Sequence, residues 1–155
     1  MTIVAVAHVN LRVADLERAL GFYVGVLGLR INGRLGDELA FLGTADAPCH
    51  IALSTAHSRG GSPPPAGSTG LGHVALRYPT RAALAAAVRA LLDHGVEIAD
   101  ANDHGVTEGV HLRDPDGNGL ELCWERPRAD WPRTASGDIP LMNKPLDLDE
   151  LLSSA

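Results

Sequence analysis

The feature that most constrains what this chain can fold into is that it repeats itself. "AHVNLRVADLERALGFYVGVLGL" reads as a strand, a helix and a glycine stop. Asp15 suits an N-cap, Leu16, Leu20, Tyr23 and Leu27 mark one helical face, and Gly28 ends the helix. "GHVALRYPTRAALAAAVRALLDHGV" repeats the arrangement, with Thr80 as N-cap, Leu84, Val88, Leu91 and Leu92 as the apolar face, and Gly95 as the stop. Three strand-like runs follow each helix, at 29–35, 38–43 and 49–55 and again at 96–102, 108–113 and 119–125. Each half therefore reads βαβββ. Two open four-stranded sheets, each with a helix on one face, bury their apolar sides and edges most economically together. The expected fold is α+β: two tandem βαβββ modules forming a half-closed barrel, or cup, with pseudo-two-fold symmetry.

The organisation that follows is a first module over 1–56, a Gly/Pro/Ser-rich connector over 57–70, a second module over 71–126 and a C-terminal tail over 127–155. The connector, "SRGGSPPPAGSTG", will form no regular element. The tail is Pro-rich and acidic, with "LDLDELL" as a short helix that packs on the surface or on a partner subunit.

Strand alternation sorts the polar residues. His8, Asn10 and Arg12 share one face of the first strand, and His73, Ala75 and Arg77 share the corresponding face in the repeat. His50, Ala52 and Ser54 oppose Ile51 and Leu53; Glu121 and Cys123 oppose Leu120, Leu122 and Trp124. Glu121 is read as the repeat partner of His50. With the apolar sets under the helices, His8, His50, His73 and Glu121 point into the concavity. Two neutral imidazoles and a carboxylate can hold a divalent cation and leave other positions open to water, substrate or dioxygen. His57, opening the connector, and His94, in the last turn of the second helix, read as bystanders. Arg12, Arg77 and Arg113 share the strand faces of these histidines, as solvated residues or as a contact for a substrate carboxylate.

Several classes drop out. The net charge is −6, with 13 Lys and Arg residues spread along the chain, which argues against nucleic acid and anionic membranes as partners. No apolar run approaches the ~20 residues of a membrane span, and "MTIVAVAHVNL" has neither a basic leader nor a cleavage site, so a cytoplasmic location is expected. Cys49 and Cys123 are too few for a disulfide framework and read as reduced. Nucleophile-elbow, phosphate-loop and dinucleotide fingerprints are missing. "DPDGNG" is a turn, without the twelve-residue loop that calcium needs.

"HVNLRVADLERALGFYVGVLGL", "GLGHVALRYPTRAALAAAV", "DHGVTEGVHLRDPDGNGLEL" and "ERPRADWPR…KPLDLDELL" together resemble the vicinal oxygen chelate superfamily. That superfamily includes glyoxalase I, bleomycin- and fosfomycin-resistance proteins and extradiol dioxygenases, and the chain looks most like its catechol 2,3-dioxygenase-like members. The resemblance implies His8, His73 and Glu121 as metal ligands. It implies His50 as an acid/base histidine, His104 as a pocket histidine that hydrogen-bonds the substrate, and His111 at a position where those enzymes carry a tyrosine. Fe(II) or Mn(II) is the favoured cofactor, and Zn(II), Ni(II) and Co(II) also suit a His/His/Glu set. The expected partners are a small-molecule substrate with vicinal oxygens, dioxygen and a second copy of the chain in a homodimer. Ring-cleaving relatives commonly have four modules, and this chain has two.

Two other activities stay open on the sequence. A glyoxalase-type lyase or isomerase would commonly use a further carboxylate as base, at the position assigned to His50. A bleomycin-resistance-like binding protein would need no metal.

Overall fold

The structure is a computed structural model and describes residues 5–154. It divides into two compact units, Met1–Gly70 with Asp114–Asn118, and Leu71–Arg113 with Gly119–Ala155.

In the first unit β1 (Val9–Arg12) leads into α1 (Leu16–Leu20), which continues as a π-helical segment over Gly21–Val26. The Asp15 carboxylate caps α1 by accepting from the Arg18 N–H at 2.9 Å, as its position predicts. Gly28 ends the helix at φ 74, a conformation that only glycine adopts cheaply. The wider π turn, visible in the bond from the Leu27 N–H to the Phe22 carbonyl, rotates the buried face. Leu16, Leu20 and Tyr23 are buried as expected, but Ala19 and Phe22 join them and Leu27 is only half-buried. β2 (Arg30–Leu35), β3 (Leu39–Gly43) and β4 (Ile51–Ser54) complete a sheet ordered β1-β4-β3-β2, with β1 parallel to β4.

The second unit repeats this with β5 (Val74–Tyr78), α2 (Arg81–Asp93), β6 (Ile98–Asp103), β7 (Thr107–Arg113) and β8 (Gly119–Glu125). Thr80 caps α2 through the Ala83 N–H, and Gly95 follows it at φ 70. Leu84, Val88 and Leu91 are buried; Ala85 takes the place expected of Leu92, which is 43% exposed. Strand order is β5-β8-β7-β6 with one addition, β9 (Lys144–Pro145), on the β6 edge. Even the irregularities recur, since the β2–β3 register slips between Ile31 and Gly33 and the β6–β7 register between Ile98 and Asp100. The two βαβββ modules are thus present, and both sheets are open ones with free edges.

The tail packs on the second unit rather than standing free. Its helix α3 (Leu148–Ser153) lies on α2 with Leu151 fully buried. Beneath α2, Glu108 is 4% exposed and is held by Arg81 and Arg126, each at 2.7 Å, while Arg126 also grips Asp103. The turn between β7 and β8 belongs to the first unit. The Tyr23 hydroxyl donates to Asp114 at 2.9 Å, and Asp116 accepts from the Ala14 N–H and from Arg18. That use of "DPDGN" is structural, as its turn chemistry predicts. Among the described residues no helix is long and apolar enough to cross a membrane.

Candidate metal centre

Strand register decides which side chains meet. In the second module His111 on β7 lies directly opposite Glu121 on β8, Glu121 lies beside Ala75 on β5, and His111 faces Asp100 on β6. His73 immediately precedes β5. Its Nε2 is 3.2 Å from Glu121 Oε2, and its ring meets that of His111 edge-on with centroids 5.2 Å apart. His104, His111 and Glu121 each offer a ligand-type atom within 4.8 Å of the others. Four of the six residues singled out in the sequence therefore converge on one sheet face.

Ligand atoms about 2.1 Å from a cation and adjacent around it lie roughly 3 Å apart. The His73–Glu121 separation fits that spacing. The His104, His111 and Glu121 group could also hold a cation, its ligand-type atoms all within 4.8 Å of one another.

Glu121 is held by what its neighbours lack. The residue is 9% exposed. A Cβ built on Gly109 would lie 2.2 Å from Glu121 Oε1 and 3.1 Å from its Cδ, so the carboxylate occupies space that any other residue at 109 would fill. A glycine inside a strand marks such a close approach, and that was the available sequence signal for a residue the sequence reading missed. Cys123, opposite Gly109, shares the face, but burial and then the Glu121 charge push its thiol up to about 11. At neutral pH the thiol is therefore protonated. Asp100 on the neighbouring strand is held below the usual carboxylate range, chiefly by hydrogen bonds from the Asn102 side chain and the Ala101 N–H, then by His111 and His104. Asp100, which the sequence reading also missed, thus stands as an exposed negative charge beside His111.

His104 is fixed from behind, with its Nδ1 3.1 Å from the Met142 carbonyl. His94 turns its Nδ1 to the Ala90 carbonyl of its own helix, as a bystander does. Arg77 is paired with Glu125 at 2.9 Å, so it is not a free rim cation.

His8 and His50 lie in the first unit. Both are exposed; His8 directly precedes β1 and His50 directly precedes β4, with the Val9 N–H donating to the His50 carbonyl. The register corrects one equivalence. Val9 pairs with Ile51 and Val74 with Leu120, so the repeat partner of Glu121 is Ala52, not His50. By the same alignment His111 corresponds to Phe41 and Gly109 to Leu39, since Phe41 faces Ala52 and Leu39 faces Ser54. Glu121 and His111 of the second module are thus matched in the first by the apolar Ala52 and Phe41, whereas His73 is matched by His8.

Comparison with known proteins bears on the same span. A profile of the Glyoxalase/Bleomycin resistance protein/Dioxygenase superfamily matches residues 5–122. The catechol-2,3-dioxygenase of Bacillus subtilis (strain 168) is 34% identical over 150 residues, 97% of this chain and 52% of that protein. Biphenyl-2,3-diol 1,2-dioxygenase 3 of Rhodococcus globerulus is 34% identical over 75% of this chain and 60% of its own length. The chain thus spans little more than half of these two relatives. It spans 90% of the lactoylglutathione lyase of Haemophilus influenzae, at 32% identity over 122 residues. A glyoxalase/dioxygenase structure from Nostoc punctiforme superposes with a TM-score of 0.67 at 22% identity, covering 80% of this chain and 92% of that one, and shares its fold.

Proposed function

The chain belongs to the Glyoxalase/Bleomycin resistance protein/Dioxygenase superfamily, and from that premise we propose that it is a divalent-metal-dependent enzyme of the extradiol ring-cleaving type, acting on a catechol or another small molecule with vicinal oxygens. The observation that carries the reading is the concentration of His73, His104 and His111 around the buried carboxylate of Glu121. The donor set suits Fe(II) or Mn(II), and space for the carboxylate is kept open by Gly109. Glu121 and His73 would hold the cation. His8 completes the set on the strength of the resemblance.

When bound, the cation supplies the positive charge that holds two vicinal oxygens and leaves room for dioxygen. The remaining work falls to side chains of this chain. His111, across from Glu121, stands where the related dioxygenases carry a tyrosine and would accept a proton from one substrate hydroxyl. His104, with Nδ1 committed to the Met142 carbonyl, would offer Nε2 as acceptor to the substrate. His50 would carry a proton to and from the oxygen side of the reaction. Both atoms of dioxygen end in the ring-opened product.

The test is oxygen uptake by anaerobically prepared, Fe(II)-loaded protein against a panel of catechols. Consumption of one dioxygen per catechol, abolished together with metal binding in His73→Ala and His8→Ala, is the expected result. No uptake with any catechol overturns the reading. A second reading, a lactoylglutathione-lyase-like activity, draws support from the near-full-length match to that relative. Against it, the residue paired by the repeat with Glu121 is Ala52, which has no carboxylate to act as base. Turnover of a hemithioacetal by Ni(II)-, Co(II)- or Zn(II)-loaded protein would favour it.

A further inference from the structure

Beyond the span matched by the family profile, the chain meets the candidate site at Met142, runs along the β6 edge and ends on α2. β9 zips onto β6, pairing Pro145 with Asn102 and Lys144 with Asp103, and the Leu146 N–H donates to the Ala101 carbonyl at 3.0 Å. Farther on, α3 is anchored to α2 by the buried Leu151 and by Arg89, whose guanidinium donates to the Leu152 carbonyl at 2.6 Å. At the other end of this strap the Met142 carbonyl meets His104 Nδ1. The Met142 side chain crosses Gly105, where an added Cβ would sit 2.7 Å from Met142 Sδ.

We propose that the strap is a positioning element, and that the Met142 carbonyl holds His104 as its Nδ1–H tautomer so that Nε2 is kept as an acceptor. A carbonyl only accepts, so the ring nitrogen facing it must carry the proton; in a neutral imidazole the other nitrogen is then an unprotonated acceptor. The His104 backbone is already fixed, its N–H donating to the Thr107 carbonyl at 2.8 Å. Ring rotation and tautomer are the freedoms left, and the strap removes both. A ring flipped about its own axis would place a carbon against the carbonyl and forfeit the bond. Pairing β9 with β6 gives the arrangement its precision, because register along a sheet edge sets where the Met142 carbonyl falls. The importance of the tautomer rests on the reading of His104 as a substrate-facing group; the tautomer itself does not.

The experiment reads imidazole tautomers directly in the metal-free chain labelled with 15N-histidine. Long-range nitrogen–proton NMR is recorded at about pH 9, where an ordinary imidazole is neutral, and His104 is assigned by comparison with His104→Gln. The parent is expected to show the Nδ1–H form at His104. Leu146→Pro removes the N–H that holds the strap to Ala101, and is expected to convert that signal to an averaged mixture while the other histidines stay unchanged. An Nε2–H form or a mixture in the parent overturns the proposal, as does a folded Leu146→Pro protein that keeps the parent signal. Should Leu146→Pro fail to fold, the parent spectrum still decides. No oxygen or catechol enters this measurement, so failure of the dioxygenase reading and failure of the positioning role are separately visible.

Discussion

Replacing Gly109 with alanine adds one methyl group at the spot where the second module keeps its carboxylate. The added Cβ would lie 2.2 Å from Glu121 Oε1, 3.1 Å from Cδ and 3.3 Å from Cγ. Non-bonded heavy atoms rest roughly 3.5 Å apart, so the Oε1 overlap exceeds about 1 Å. Gly109 is not among the glycines with positive φ, so the backbone accepts alanine and the conflict is purely steric. Glu121 must turn, into an off-rotamer costing about 0.5–1.5 kcal/mol or away from His73, which it meets at 3.2 Å. Disturbing the support of a metal ligand typically weakens binding about 10–100-fold, or ~1.4–2.8 kcal/mol. Overpacking a tight site costs about 1–3 kcal/mol of stability, which lowers Tm by about 2–4 °C per kcal/mol in a domain of this size. The assay is competition titration of metal-free protein with Mn(II) or Zn(II), alongside thermal melting. Gly33→Ala is the control, because its Cβ would meet only Phe41 Cδ2 at an ordinary 3.5 Å and should leave both measurements near the parent. Metal affinity of Gly109→Ala within twofold of the parent would refute the claim that this glycine makes room for a ligand.

Glu108→Ala removes the buried carboxylate that Arg81 and Arg126 share; with Arg126 still on Asp103 and Arg81 on Glu150 it should cost about 1–3 kcal/mol, read as a lower denaturant midpoint with unchanged slope. Burial works against the charge of Asp103 but is outweighed by the Arg126 side chain, the Gly105 N–H and the Arg126 and Lys144 charges, so its carboxyl sits below the usual range. A depressed folded-state value contributes stability above the unfolded-state pKa, near ~3.9, and loses it as pH falls through the folded one. Asp103→Asn should therefore lower stability at neutral pH and flatten its loss between pH 5 and the acid limit, checked by melting across that range (about pH 2–7). The Cys123 thiol, raised to about 11 and 8% exposed, should resist alkylation at about pH 8 until denaturant is added; rapid labelling of the native protein would contradict its placement.

Local chemistry wrote much of the fold into the sequence. Asp15, Thr80, Gly28 and Gly95 delimit the helices because caps and left-handed stops act over four or five residues. Each expected strand appears within about two residues of its reading. The family also follows from contiguous motifs. Departures arise where a distant contact overrides the local pattern, as where the π turn brings Phe22 into the core or α2 turns Leu92 outward.

The site was legible as residue types and only partly as a constellation. His73, His104, His111 and Glu121 were all singled out from the sequence, and the structure gathers them on one face. The repeat equivalence of His50 and Glu121 was wrong because alternation says which side of a strand a residue takes, not which position it matches in the other copy. That follows from inter-strand register, by which Ala52 is the counterpart of Glu121. Gly109 mattered through an absence of atoms, and Met142 through a backbone carbonyl reaching His104 from 38 residues away. By itself the sequence determined the duplicated βαβββ scaffold and the donor types, since these depend on near neighbours. Only the tertiary structure decided which donors meet, what keeps space for them and what holds them still, because those are distances between segments that no local pattern encodes.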